Sequence, residues 1–314
     1  VRSAFLSTLL DVAVVDPRVE LIVGDLGFGV IEPFRDRFED RFLNVGVAEQ
    51  NMTGIATGLA LTGSVVFTYS IANFATMRCL EQLRNDACYH DANVKVVAVG
   101  GGLAYGNLGI SHHATEDLAM LRVMPRLRVA APGDPAEASA ITRIAAATDG
   151  PFYLRLGKAN ETAIHAEVPA LEPGTSVPVL DGDDVAILVT GALLPTGVRA
   201  GELLQSSGIS ARVISMPWIE PLDIDTVRTA GANYDLVVTL EEHSICGGLG
   251  GAVAEVLCEM PSRARQLRVG LPPTFTSIVG TQEHLRQRYG LDPESVASRI
   301  AAALKEHRSQ WTPQ

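Results

Sequence analysis

Short β-branched runs alternate with longer segments rich in Ala, Leu, Glu and Arg along most of this chain. "VELIVGDL" (19–26), "SVVFTYS" (64–70), "VKVVAVGGG" (94–102), "LRVAAPGD" (127–134) and "PFYLRLG" (151–157) read as strands. The stretches 48–61, 76–89 and 135–147 between them read as helices. Near-continuous apolar strands bounded by Gly, Pro and Asp suit a parallel sheet covered on both faces. The segment 166–184 then carries three prolines and no periodicity, so a linker is expected over 166–182. A second series follows: strands at 185–191, 211–218, 234–243 and 267–272, and helices near 193–206, 222–231 and 250–259. A last helix is expected over 293–305, with Pro293 at its start and Val296, Ile300 and Leu304 at helical spacing. The fold class is therefore α/β: two doubly wound domains with mainly parallel sheets, over 1–165 and 183–314.

Charge and cysteine usage narrow the partners. A net charge of −11 argues against non-specific binding of nucleic acid. No apolar run reaches the length needed to cross a bilayer, and "VRSAFLSTLL" has no secretory leader pattern. Cys79, Cys88, Cys246 and Cys258 lie far apart without a CxxC pair, which suits a reduced, cytoplasmic setting.

The glycine signals read mainly as turns. "GGLGGAVAE" (247–255) lacks the spacing of a dinucleotide loop, and there is no GxxxxGK[ST] sequence. "GDLGFG" (24–29) ends a strand, where ligands of open α/β sheets gather, or is a plain strand-to-loop turn. His112 and His113 stand together before a helix expected near Glu116, which Ser111 or Thr115 could cap. Adjacent histidines face different ways, and no third ligand stands at metal spacing.

In "GVAEQNMTGIATGLA" (46–60), one carboxylate, Glu49, opens an otherwise small and apolar segment. Gly54, Gly58 and Ala60 would line one side of a helix and permit close approach of another element. Glu49 is either a surface acid favoured by the helix dipole or a sheltered group with a chemical task.

The words "LNVGVAEQNMTGIATGLALTG" (43–63), "EDLAMLRVMPRLRVAAPGDPAEA" (116–138) and "PFYLRLGKANE" (151–161) resemble the pyrimidine-binding domain of transketolases. "LEEHSICGGLGGAVAE" (240–255) and "GTQEHLRQRYGLDPESV" (280–296) resemble the C-terminal domain of that family. These last words are shared with deoxyxylulose-phosphate synthase and two-oxoacid dehydrogenase beta subunits. The resemblance implies that Glu49 bonds N1′ of the thiamine diphosphate aminopyrimidine and drives its tautomer change, a task that suits a carboxyl taken out of water.

The family's GDG sequence, which with a later Asn binds the diphosphate and a divalent metal such as Mg²⁺, is absent. The resemblance thus implies the beta-type half of a split enzyme. A separate subunit would hold the diphosphate and metal, in a dimer of heterodimers that moves a two-carbon ketol unit between sugars. The alternatives are a subunit of a decarboxylating thiamine enzyme and a non-catalytic interaction subunit.

By the same resemblance Asp25 lies near the cofactor, and His112 faces the reacting carbons as a catalytic and substrate-binding residue. Arg2 and Lys158 take the places of sugar-phosphate arginines. Phe74, with Tyr69 or Phe67 near, stacks on the pyrimidine where the family's Phe positions hold Ala72 and Ala75. Phe74 is otherwise a core residue. Gly29, Gly100–Gly102 and Leu108 replace a Ser, a phosphate-contacting His and a hydroxyl-reading Asp. These departures point away from the standard pentose phosphates, toward a modified, less phosphorylated or specialised sugar.

Overall fold

The computed structural model describes residues 1–158, 161–261 and 264–310. The strands are β1 Val19–Val23, β2 Phe42–Asn44, β3 Val65–Ile71, β4 Val94–Val99, β5 Arg128–Ala130 and β6 Phe152–Leu156 in the first half. β7 Val177–Leu180, β8 Val185–Val189, β9 Ala211–Ser215, β10 Trp218–Glu220, β11 Leu236–Ser244 and β12 Arg265–Leu271 follow. Among the described residues they form a seven-stranded sheet, β10-β5-β6-β4-β3-β1-β2, and a five-stranded sheet, β12-β11-β8-β9-β7. Every pairing is parallel except β10 with β5 and β7 with β9.

β3 shows why the first sheet needs two covers. All of Val65–Ser70 is buried. Val65, Phe67 and Tyr69 pack with Phe5 and Leu9 of the helix Arg2–Val15, while Val66 packs with Met52 and Ala56 of the helix Glu49–Leu61. Strand alternation therefore sends Tyr69 to one face and Ser70 to the other.

Four features differ from the sequence expectation. The opening residues form the helix Arg2–Val15, whose buried Phe5 and Leu9 close one face of the sheet. β7 lies inside the proline-containing segment; it is an edge strand, where Pro178 is tolerated because its missing N–H costs no ladder bond. The run 211–218 splits, and Trp218–Glu220 crosses to the first sheet, where Trp218 packs on Phe152 at 5.6 Å between ring centroids. The helix expected over 76–89 breaks into Ala72–Thr76, a 3₁₀ turn Met77–Cys79, Leu80–Gln82 and a π-helical turn Leu83–Cys88. Thr76 donates its hydroxyl back to the Ala72 carbonyl, a bond that bends helices.

Candidate active site at the carboxyl ends of the first sheet

Glu49 opens the helix Glu49–Leu61 and is only 1% exposed, so it is not a surface acid. Its carboxylate has two partners. Arg78 Nη1 donates to Oε2 at 2.7 Å, and the Ser70 hydroxyl donates to Oε1 at 3.3 Å. Gly24, at the end of β1, packs beside this group: a methyl there would lie 3.5 Å from Glu49 Cγ. Gly54 and Gly58 have no neighbour within 4 Å, so the close approach they permit is not used within this chain.

From Glu49 a continuous row of side chains runs across the strand ends. The Arg78 guanidinium lies over the Phe74 ring at 4.5 Å. Phe74 meets His112 edge-on at 5.1 Å between centroids, and His112 lies 6.1 Å from Tyr105. Lys158 Nζ sits 4.8 Å above the Tyr105 ring. Burial raises the Tyr105 hydroxyl pKa, and the nearby positive charge of Arg2 opposes that rise. The structure thus brings Glu49, Phe74, His112, Arg2 and Lys158 to one rim.

Asp25, in the turn after β1, is tied to Asn44 at the end of β2 and makes no side-chain contact with this row among the described residues. The Asn44 amide donates to Asp25 Oδ1 at 2.9 Å and accepts the backbone N–H groups of Asp25 and Gly46. Asp25 has φ +54°, so the turn after β1 is held in the left-handed region by these bonds.

Tyr69 meets the row only through its hydroxyl, whose pKa burial raises and the nearby Arg2 charge lowers. It is fully buried on the opposite face of β3 and stacks on Phe5 at 6.2 Å. Phe67 shares that face. Ala72 and Ala75 are also buried, whereas Phe74 is half-buried and turned toward Arg78 and His112.

Arg78, Tyr105 and Ser70 were missed in the sequence. Ser70 was legible, since period-two alternation opposes it to Tyr69. Arg78 was not, because its direction comes from the break at 77–79.

The glycine run 100–102 has a packing reason. A methyl at Gly100 would collide with Tyr105, at Gly101 with Arg155, and at Gly102 with Glu242. The turn at 247–250 is likewise filled from inside: Leu249 N and Gly250 N donate to the buried Glu241 carboxylate at 2.8 Å each. A helix N-terminus already satisfied by a carboxylate has no vacancy for a phosphate.

His112 and His113 do face different ways. His113 is 2% exposed, and burial pushes its pKa down against the raising influence of Glu242, Glu116 and the Gly106 backbone. The helix after them begins at Asp117 and takes no side-chain cap; Thr115 donates instead to the Glu116 carboxylate at 2.8 Å. Among the described residues no cluster of His, Cys, Asp and Glu could hold a metal ion, and no helix is long and apolar enough to cross a membrane.

Two family models match this chain, the transketolase pyrimidine-binding domain over residues 1–162 and the transketolase C-terminal domain over 174–296. The chain belongs to the transketolase family. It is 41% identical over 275 residues to a putative transketolase C-terminal section of Methanocaldococcus jannaschii, covering 87% of this chain and 86% of that one. It is 33% identical over 307 residues to one of the subunits of the apulose-4-phosphate transketolase of Phocaeicola vulgatus, covering 97% of each. Among solved structures, a split gene transketolase described as an inactive beta4 tetramer superposes with a TM-score of 0.87 at 35% identity, covering 97% of each chain. This transketolase chain spans nearly the whole length of the P. vulgatus subunit and of the split gene structure.

Proposed function

We propose that this chain is the beta-type subunit of a two-chain, thiamine diphosphate-dependent transketolase that moves a two-carbon ketol unit between sugars. The observation that carries the reading is the unbroken row from buried Glu49 through Phe74 to His112. A buried carboxylate beside an aromatic face fits a flat heterocycle with a protonatable nitrogen. The sequence lacks the GDG that the family uses for the diphosphate and its metal. The partner subunit holds those, with Mg²⁺ as the oxygen-liganded ion.

When bound, thiamine diphosphate supplies the carbon nucleophile that takes up the ketol unit. The chain's own groups have separable tasks. Glu49 holds or shares the proton at the ring nitrogen. Phe74 offers an aromatic face, worth about 0.5–1.5 kcal/mol beyond burial. His112 orients substrate hydroxyls and moves their protons. Lys158 and Arg2 present positive charge to an anionic sugar end; Lys158 does so as a point charge rather than a bidentate fork. Asp25 fixes the turn after β1 beside the cofactor.

A modified sugar is the substrate class we favour. The glycines at 100–102 are filled by this chain's own side chains, and the P. vulgatus relative is named for apulose 4-phosphate. The solution form is a dimer of heterodimers in the reducing cytoplasm, a setting that suits four free cysteines.

The test mixes the purified chain with its diphosphate-binding partner, thiamine diphosphate and Mg²⁺. Xylulose 5-phosphate, apulose 4-phosphate and pyruvate are supplied in turn as donors. The expected result is no turnover by the chain alone and ketol transfer by the mixture without carbon dioxide release. Carbon dioxide from pyruvate would instead make it a decarboxylase subunit. Absence of cofactor binding by the assembled pair in calorimetry would make it non-catalytic.

A further inference from the structure

The loop that carries His112 is gripped from the C-terminal domain. Gly102 and Ala114 bond reciprocally, N–H to carbonyl at 2.8 and 3.1 Å, and so close the segment 103–113. At that neck stands Glu242 of β11, 2% exposed. Its Oε1 accepts Leu103 N at 2.7 Å and Gln282 Nε2 at 2.7 Å; its Oε2 takes the Arg286 guanidinium. Its carbonyl accepts Arg155 Nη2, which also donates to the Ala114 carbonyl at 2.8 Å. Ser244 N donates to the Thr115 carbonyl at 2.8 Å, and Gly280 N to the Gly106 carbonyl at 3.3 Å. Three points at or beside the His112 segment, Leu103, Gly106 and Thr115, thus rest on the second domain, and Glu242 bonds the first of them.

A carboxylate with so many donors is more than a fastening for one amide. Gly102 has φ +65°, and a methyl there would lie 2.6 Å from Glu242 Oε1 and 2.7 Å from its carbonyl oxygen. The backbone has been brought against this side chain as closely as glycine allows. On the other side of the segment, Asn73 donates its amide to the Ser111 carbonyl, so His112 stands between two fixed walls. We infer that Glu242 is a positioning residue for the transferase reaction: the C-terminal domain, through it, fixes where His112 stands against the substrate. The inference rests on the reading of His112 as a substrate-facing residue.

The experiment is a double-mutant cycle on the reconstituted complex. E242A, H112A and the double variant are assayed with whichever of the three donors wild type turns over, alongside hydrogen exchange of segment 103–113. E242A is expected to lower kcat tenfold or more with cofactor affinity unchanged, and to speed exchange at Leu103. In the H112A background the same change should lower kcat less than twofold, because the group it positions is already gone. E242Q, whose amide oxygen can still accept Leu103 N, should recover most of the rate. Q282A, which removes one donor from the carboxylate, gives a milder form of the effect should E242A fail to assemble. Equal losses in both backgrounds, or unchanged kcat and exchange in E242A and Q282A, would overturn the inference and leave the site reading standing. Full activity in H112A would remove both.

Discussion

At the scale of single residues the site turns on how Glu49 is held. A buried carboxylate without donors would be expensive, and Arg78 with Ser70 supplies them. The stronger bond goes to Oε2, which leaves Oε1 the less committed oxygen. Arg78 is itself 44% exposed, so it can be changed without opening the core. Arg78→Met should lower cofactor affinity or kcat of the assembled enzyme by about 10- to 100-fold, the range of a charge-assisted bond. Its melting temperature should stay near wild type. A calorimetric titration and steady-state rates check this; unchanged values would make Arg78 a bystander. Glu49 and Phe74 were legible in the sequence because an acid among small residues, and an aromatic between two alanines, break the local pattern. The Tyr69 ring lies on the face of β3 opposite Ser70, as strand alternation requires, and only its hydroxyl end comes near the site, beside Arg2.

At the scale of elements, β4 carries a charge that the alternating pattern did not reveal. Lys95 is 1% exposed in the middle of the first sheet, and its Nζ donates to the Thr148 and Gly150 carbonyls at 2.6 Å each. Burial brings its pKa down from 10.5 to about 7. Between those values the unfolded chain binds the additional proton, so stability rises with pH; below about 7 both states are protonated and the effect is constant. Lys95→Met removes this titration. Urea unfolding at pH 7, 8 and 9 should show wild type gaining on the variant by about 1 kcal/mol over the first pH unit and rather more over the second, toward a limit of about 1.4 kcal/mol per unit. A difference independent of pH would contradict the assigned burial.

The long helices at 49–61, 135–147 and 194–206 were legible because apolar spacing and turn residues agree there. The short edge strands β7 and β10 were not. Three or four residues carry no period, and their pairing is decided by partners far along the chain.

At the scale of the whole molecule, the two sheets are joined rather than strung together. β10 completes the first sheet from the second half, and Arg122 reaches across to the Gly247 carbonyl and the Glu255 carboxylate. The expected linker described the composition of 166–182 but not this crossing. The same scale holds the argument for a partner. Size-exclusion chromatography with light scattering should give two copies of each chain for the mixture. A stable one-to-one pair, or no association, would contradict the proposed dimer of heterodimers.

Contact between buried Glu49 and the cofactor's ring nitrogen is the step on which the proposed chemistry turns. The most direct measurement is the rate at which the C2 proton of thiamine diphosphate exchanges with deuterium in the assembled enzyme, followed by quenched-flow NMR. With Glu49→Gln the rate should fall by about 10²–10⁴-fold, the range for loss of a positioned proton-transfer group, while fold and assembly persist. An exchange rate equal to wild type in an assembled, cofactor-loaded variant would contradict the central claim.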